Sequence, residues 1–441
     1  MLSESRTQPR ALTPEQAHTL LARFQAVRAA SMSFAAPLTP EDMMVQSCAE
    51  ASPVKWHLAH TSWFFETFVL SDFLPGYTAY HPDFHWLFNS YYTSLGDMPE
   101  KKLRASFSRP PLDQILGFRV HVDAAIARLL EADPPEDAIR RIGLGLEHEQ
   151  QHLELIATDI KHALFTNPLH PAYLPPSNLA GAAARTEALA PPVEFVPFAG
   201  GLTQIGLSPD PTDLNAFAFD NETPRHTVFL QPFALATRLV TCAEYLAFIE
   251  DRGYTRPELW LSEGWTRMRS QGWQAPLYWQ ADDSPSGWSI YTLHGFQPLD
   301  ALSETPVCHL SFFEADAFAR WAGCRLPTEF EWEHASEGLP VSGNLLESGA
   351  LHPTPADHRP GLQQMFGDVW EWSASGYTGY PGYRPLPGAL GEYNGKFMSS
   401  QVILRGGSCV TPATHIRATY RNFFSPGTRW QISGLRLAKD A

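Results

Sequence analysis

The 441-residue chain is too long for one ordinary core, and its 44% hydrophobic and 12% aromatic content suffices for two or three. A formal net charge of -15 excludes the basic field that attracts nucleic-acid phosphates. Met1–Arg10 has no apolar core for a Sec signal, no run approaches the roughly 18–20 apolar residues that span a bilayer, and the cysteines are scattered without a CxxC. The expectation is a cytoplasmic, multidomain protein with reduced thiols, no membrane and no nucleic-acid partner.

Residues 1–166 read as helices. Thr13-Pro14-Glu15-Gln16 has the form of a capping box with proline at the first helical position, and Leu20, Leu21, Phe24 and Val27 follow at helical spacing. Further helices are predicted over His57–Phe73, Leu112–Ala132 (apolar Ile115, Leu116, Val120, Ala124 and Leu129) and about Glu136–Phe165. Four such helices with long connections imply an up-down bundle, a scaffold that builds metal sites from inward-facing side chains. Residues 167–192 carry six prolines and the Ala-rich Ala180–Ala184, and read as an extended connector. From 193 to 441, short apolar runs with Gly, Pro, Trp and Tyr predict a loop-rich domain, with short helices around Cys242–Arg252 and Phe312–Ala322. The fold class is therefore α+β in two domains.

Glu147-His148-Glu149-Gln150-Gln151-His152 lies inside the longest predicted helix, where the i, i+4 spacing puts both imidazoles on one face. The string also matches HExxH, in which Glu149 would be the general base of a zinc hydrolase. Neither accompanying strands nor a downstream extension supports that match, and His162 is too far along the axis to join the pair. A third ligand is expected from Trp56-His57-Leu58-Ala59-His60, where either His57 or His60 could face the interior. A three-histidine set without a carboxylate favours an anionic soft ligand such as a thiolate.

WHLAHTSWFFETFVL, FNSYY, HEQQHLELIATDIKH, GDVWEWSAS, VILRGGSCVTPATHIRATYRNFF and RWQISGLRL resemble the ergothioneine-biosynthesis sulfoxide synthases from about residue 40 to the C-terminus. The resemblance implies a DinB-like four-helix bundle carrying Fe(II), joined to a C-type-lectin-like domain of the formylglycine-generating-enzyme kind. It implies dioxygen-driven attachment of a cysteine-type sulfur to imidazole C2 of hercynine (trimethylhistidine), giving a sulfoxide. By motif the metal ligands are His60, His148 and His152, and His57 becomes a neighbour. Gln151 would help hold the imidazole substrate, and Tyr393, Asn422, Phe423 and Phe424 would line its pocket. Asn422 can hydrogen-bond a carboxylate, and aromatic faces suit a trimethylammonium. Tyr91 or Tyr92 would be the catalytic proton source, since a phenol stays protonated until the chemistry draws on it. Leu390 stands where other members place a tyrosine. A cysteine-oxidising activity would need a partner for Cys409, but Ala413 and Thr414 stand where one is expected.

Departures from the family pattern fall in the presumed pocket: Leu153, Met398-Ser399-Ser400-Gln401, Ile432, Thr93-Ser94-Leu95-Gly96 and Arg104–Arg109. Phe424 replaces an aspartate of the γ-glutamylcysteine branch, which points to free cysteine as donor. The hydroxyls of Thr93, Ser94, Ser106, Ser399 and Ser400 suit instead a selenosugar, the donor of the related selenoneine synthases. Both donors stay open, with Arg109, Arg417 and Arg421 as candidate charged contacts.

Overall fold

The computed structural model describes residues 13–175, 189–210, 213 and 216–441. Contacts group them into two units, one within Met1–Ile160 and Pro209–Ala218, the other within Lys161–Ser208 and Phe219–Ala441. Ala180–Ala184 of the expected connector, and Met1–Arg10, lie outside the described residues.

The first unit is built on helices α1 (Pro14–Ala35), α2 (Val54–Phe65), α3 (Leu112–Glu131) and the first 25 of the 31 residues of α4 (Glu136–Thr166). The predicted capping box opens α1: Gln16 N–H donates to Thr13 Oγ1 (3.3 Å) and Thr13 N–H to Gln16 Oε1 (3.0 Å). Every residue of α2 is buried, so this helix has no polar stripe and forms the middle of the unit. It runs on through a wide turn at Glu66–Leu70. Gly145 permits the close approach of α4 to this helix, because a Cβ there would lie 2.4 Å from a Phe65 ring carbon.

α3 spans nearly the predicted residues, and of its five predicted apolar positions Ile115 and Leu129 are buried and Leu116 half-buried. Its buried stripe includes Ile115, Phe118, Arg119, Val122, Ile126 and Leu129, whereas Val120 is 69% exposed and Ala124 also faces solvent. At about 100° per residue the first six positions cluster on one side and Val120 and Ala124 lie opposite. The true stripe contains a buried arginine, which a count of apolar residues passes over.

The second unit contains short strands in separate small sheets. β1 (Phe195–Phe198) pairs with β4 (Phe233–Ala236), which also pairs with the C-terminal β12 (Ala438–Asp440). β2 (Gly201–Ile205) and β3 (His226–Leu230) form a two-stranded ribbon, and β5 (Trp279–Ala281), β6 (Trp288–Thr292) and β7 (Gly295–Pro298) a meander. The fourth sheet has the order β10-β9-β8-β11, with β8 at Trp370–Gly376, β9 at Val402–Arg405, β10 at Asn422–Phe424 and β11 at Ser433–Gly434. Two expected helices are present, α5 (Cys242–Glu250) and α7 (Phe312–Trp321), and sequence reasoning missed α6 (Ser262–Gln271) and α8 (Glu329–Ser336). The α+β, two-part architecture is the expected one. Among the described residues no helix is long and apolar enough to cross a membrane.

Candidate metal centre

α2 and α4 bring His60, His148 and His152 together, each offering a ring nitrogen within 4.8 Å of the others. The i, i+4 pair contributes two of them from one face of α4, with ring centroids 4.5 Å apart, and His60 closes the group from α2 at 4.9 and 4.8 Å. All three are buried, His152 the least so at 8% exposure.

Burial lowers their basicity: the His148 imidazole is pushed down to about 3, and those of His60 and His152 fall well below the ordinary histidine value. Neutral rings present lone pairs, which is what ligation needs. His60 Nδ1–H donates to the Phe88 carbonyl (2.6 Å), and its Nε2 is buried with no hydrogen-bond partner. An orphaned acceptor of this kind, inside a cluster of neutral imidazoles, fits a divalent transition metal. His60, His148 and His152 would hold it, and the group contains no carboxylate.

Aromatic walls fix the rings. Trp56 and Trp63 stack on either side of the His60 position, at 4.4 and 5.1 Å with interplanar angles of 15° and 14°, and Phe64 lies 4.6 Å from His148. Arg104, and not the exposed Arg109, reaches this column, its guanidinium 3.4 Å from the Trp56 ring centre. Beyond Trp63 comes Tyr92 (5.6 Å), fully buried, and Tyr91 packs on Tyr92 at 4.6 Å. Asn89 exchanges hydrogen bonds with the Tyr92 backbone, so the loop that caps His60 through Phe88 also holds the tyrosine pair. His57 is not in the cluster. Its Nδ1 lies 2.7 Å from His152 Nδ1 and its Nε2 3.2 Å from Asp159 Oδ2.

The hydrolase reading of HExxH is overturned by Glu149. One carboxylate oxygen accepts from Arg28 Nη1 (2.8 Å) and the other from Arg119 Nη2 (2.9 Å), with the carboxylate fully buried. Burial pushes this carboxyl up, but the two guanidiniums outweigh it and bring it down to about 2. A carboxylate so weakly basic, with both oxygens engaged, cannot serve as general base. Arg28 also donates to Ser62 and Arg119 to Thr61, so α1, α2, α3 and α4 all meet on this one group.

In the second unit, Asn422, Phe423 and Phe424 form the edge strand β10, all half-buried. Phe423 stacks on Tyr377 at 4.1 Å, while the buried Tyr393 stacks on Phe219 at 5.5 Å. The turn at Asp220–Glu222 links these aromatics: Asp220 accepts from Tyr383 and Asn394, and Asn221 donates to the Tyr377 hydroxyl. Arg421 is buried and spends its guanidinium on Glu329 and the Asn221 carbonyl, and Arg417 is held by Glu222, so both candidate donor contacts are engaged in holding this unit together. Gln151 is half-buried beside His152. Sequence reasoning missed Trp56, Trp63 and Asp159, and met Arg104 only as the start of a divergent segment; of the three missed, only Asp159 carried a readable signal, two helical turns after His152 on the same face.

One unit is helical and carries a buried three-histidine cluster suited to a transition metal, and the other is loop-rich and mixed, which defines a two-part protein of a metal-dependent class. A DinB superfamily model matches residues 23–156, and a sulfatase-modifying factor enzyme 1-like domain matches residues 181–353 and 354–441. A hercynine oxygenase of Mycolicibacterium smegmatis is 31% identical over 423 residues, covering 88% of this chain and 91% of that protein. One from Mycobacterium tuberculosis is 35% identical over 246 residues, 51% of this chain and 56% of that protein. A formylglycine-generating enzyme of Streptomyces coelicolor is 30% identical over 262 residues, 50% of this chain and 82% of that protein. The chain belongs to the hercynine oxygenase family, the sulfoxide synthases of ergothioneine biosynthesis. None of its five cysteines is in a disulfide, and Cys409 is buried.

Proposed function

We propose that this chain is an iron(II)- and dioxygen-dependent enzyme that joins a chalcogen to imidazole C2 of hercynine, with a cysteine-type thiol as donor. The observation that carries this reading is the buried cluster of His60, His148 and His152 in a chain that spans 91% of a hercynine oxygenase. Bound iron(II) supplies the redox chemistry that activates dioxygen and oxidises the donor. The protein holds three neutral rings in place between indole and phenyl walls and contributes no ligand carboxylate, so an anionic thiolate is the charge-balancing partner.

In this reading Gln151 orients the imidazole of hercynine. Asn422 takes its carboxylate, Tyr393, Phe423 and Phe424 offer ring faces to its trimethylammonium, and Arg109 contacts the donor. The Tyr91–Tyr92 pair holds the proton delivered to the reacting oxygen, at a phenol oxygen. A second reading, in which a selenosugar supplies selenium, is favoured by the exposed Ser399 and Ser400.

The test is aerobic incubation of iron-loaded enzyme with hercynine and competing cysteine, γ-glutamylcysteine and a selenosugar, with the product identified by mass spectrometry. A sulfoxide or selenium adduct of hercynine names the donor. Turnover of any substrate without oxygen refutes the assignment, and so does full iron occupancy in purified His60→Ala protein.

A further inference from the structure

We infer that Asp159 and His57 are positioning residues for the metal centre, setting the ring tautomer of His152 so that its Nε2 lone pair faces the other two histidines. The inference rests on the proposed ligand role of His152. The three side chains form one buried line, Asp159 Oδ2 to His57 Nε2 at 3.2 Å and His57 Nδ1 to His152 Nδ1 at 2.7 Å, with exposures of 5%, 2% and 8%. Ser52 N–H donates to the same Asp159 oxygen at 2.8 Å, which fixes that oxygen as an acceptor.

From there the proton positions follow in order. An accepting carboxylate oxygen requires His57 to carry its proton on Nε2. A ring with one proton then has a bare Nδ1, which can only accept. His152 must therefore donate from Nδ1, and its Nε2 is left as a lone pair. Were His57 to donate through Nδ1 instead, the His152 proton would sit on Nε2 and block ligation. His60 reaches the same state by a different route, its Nδ1–H spent on the Phe88 carbonyl. Both relay residues ride the ligand helices, Asp159 seven positions after His152 on α4 and His57 three before His60 on α2, so the placement of ligand and partner is one geometric event.

Two measurements on the full-length protein test this. The first is titration with Co(II), following its visible absorption, across His57→Leu, His57→Asn, Asp159→Leu and Asp159→Asn. Asn at 57 places an amide oxygen where Nδ1 lay, and Asn at 159 keeps an acceptor without the charge. The leucine variants are expected to weaken Co(II) binding about 10–100-fold, with much of the loss restored in the asparagine variants. The second is long-range 1H–15N NMR of 15N-histidine-labelled, Zn(II)-loaded protein, in which His57 should be protonated at Nε2 and His152 at Nδ1. A proton on His57 Nδ1, or parental Co(II) affinity in folded leucine variants, overturns the inference. If the leucine variants fail to fold by circular dichroism, the tautomers read in the parent decide it. Co(II) binding that survives His152→Ala refutes the ligand assignment itself, and the inference falls with it; binding lost in His152→Ala but unchanged across the His57 and Asp159 series refutes the relay alone.

Discussion

Replacing Glu149 by glutamine separates a structural carboxylate from a catalytic one. The amide keeps the shape but removes the charge, leaving Arg28 and Arg119 buried side by side. Asp123 pairs directly with Arg28, through Nε at 2.7 Å, acts on Arg119 only at longer range, and is itself 39% exposed. Breaking a buried pair by removing one partner costs about 3–5 kcal/mol. At about 2–4 °C per kcal/mol for a unit of this size, melting should fall by roughly 6–20 °C at pH 7. The pH dependence has a definite sign. Folding takes the Glu149 carboxyl from 4.5 to about 2, so its contribution is complete above 4.5 and is lost as pH falls through that window. Parent and variant should therefore differ most at neutral pH and converge toward pH 2–3. The assay is thermal and urea unfolding across pH, with metal content measured at low temperature, where folded Glu149→Gln should still load. A variant as stable as the parent at pH 7 that has lost a hydrolytic activity would refute this account and restore the general-base role.

Asp368 should show the opposite pH sign. Burial pushes its carboxyl from 3.8 up to about 6 despite hydrogen bonds from Thr354 and Asn344, so stability is lost as pH rises from 4 through 6, by up to about 3 kcal/mol. Asp368→Asn keeps an acceptor and tolerates the positive φ of 56°, and should flatten that loss in urea unfolding at pH 4 and 7; an unchanged profile refutes the assignment. On α3, Phe118→Ala should cost about 3–5 kcal/mol, whereas Val120→Glu should stay within about 0.5 kcal/mol, as measured by denaturant unfolding. Equal costs at the two positions would mean that the inward face is misassigned.

What could be read without coordinates was what is local. The Thr13/Gln16 box, the long periodic helices and the i, i+4 histidine pair each depend on neighbours a few positions apart. The box at Thr328 and Glu331 that opens α8 was equally local and was overlooked. Glu149 was misleading because its meaning lies in Arg28 and Arg119, 121 and 30 positions away. The burial of Arg119 on α3 was hidden for the same reason, since its partners Glu149, Thr61 and Leu58 all lie on other helices. Arg417 and Arg421 looked available for a substrate because Glu222 and Glu329, which occupy them, are 195 and 92 positions distant.

The node of Arg28, Glu149 and Arg119 also limits how relatives can diverge. Losing Glu149 leaves two buried guanidiniums without their shared carboxylate, and losing either arginine leaves that carboxylate with one, so drift at these positions favours concerted change, for instance toward an apolar trio of similar volume. The glutamate that follows His148 is thus held by packing and not by chemistry. In a descendant that had shed its histidines and its activity, that glutamate would still be expected, and its survival would testify to the bundle alone.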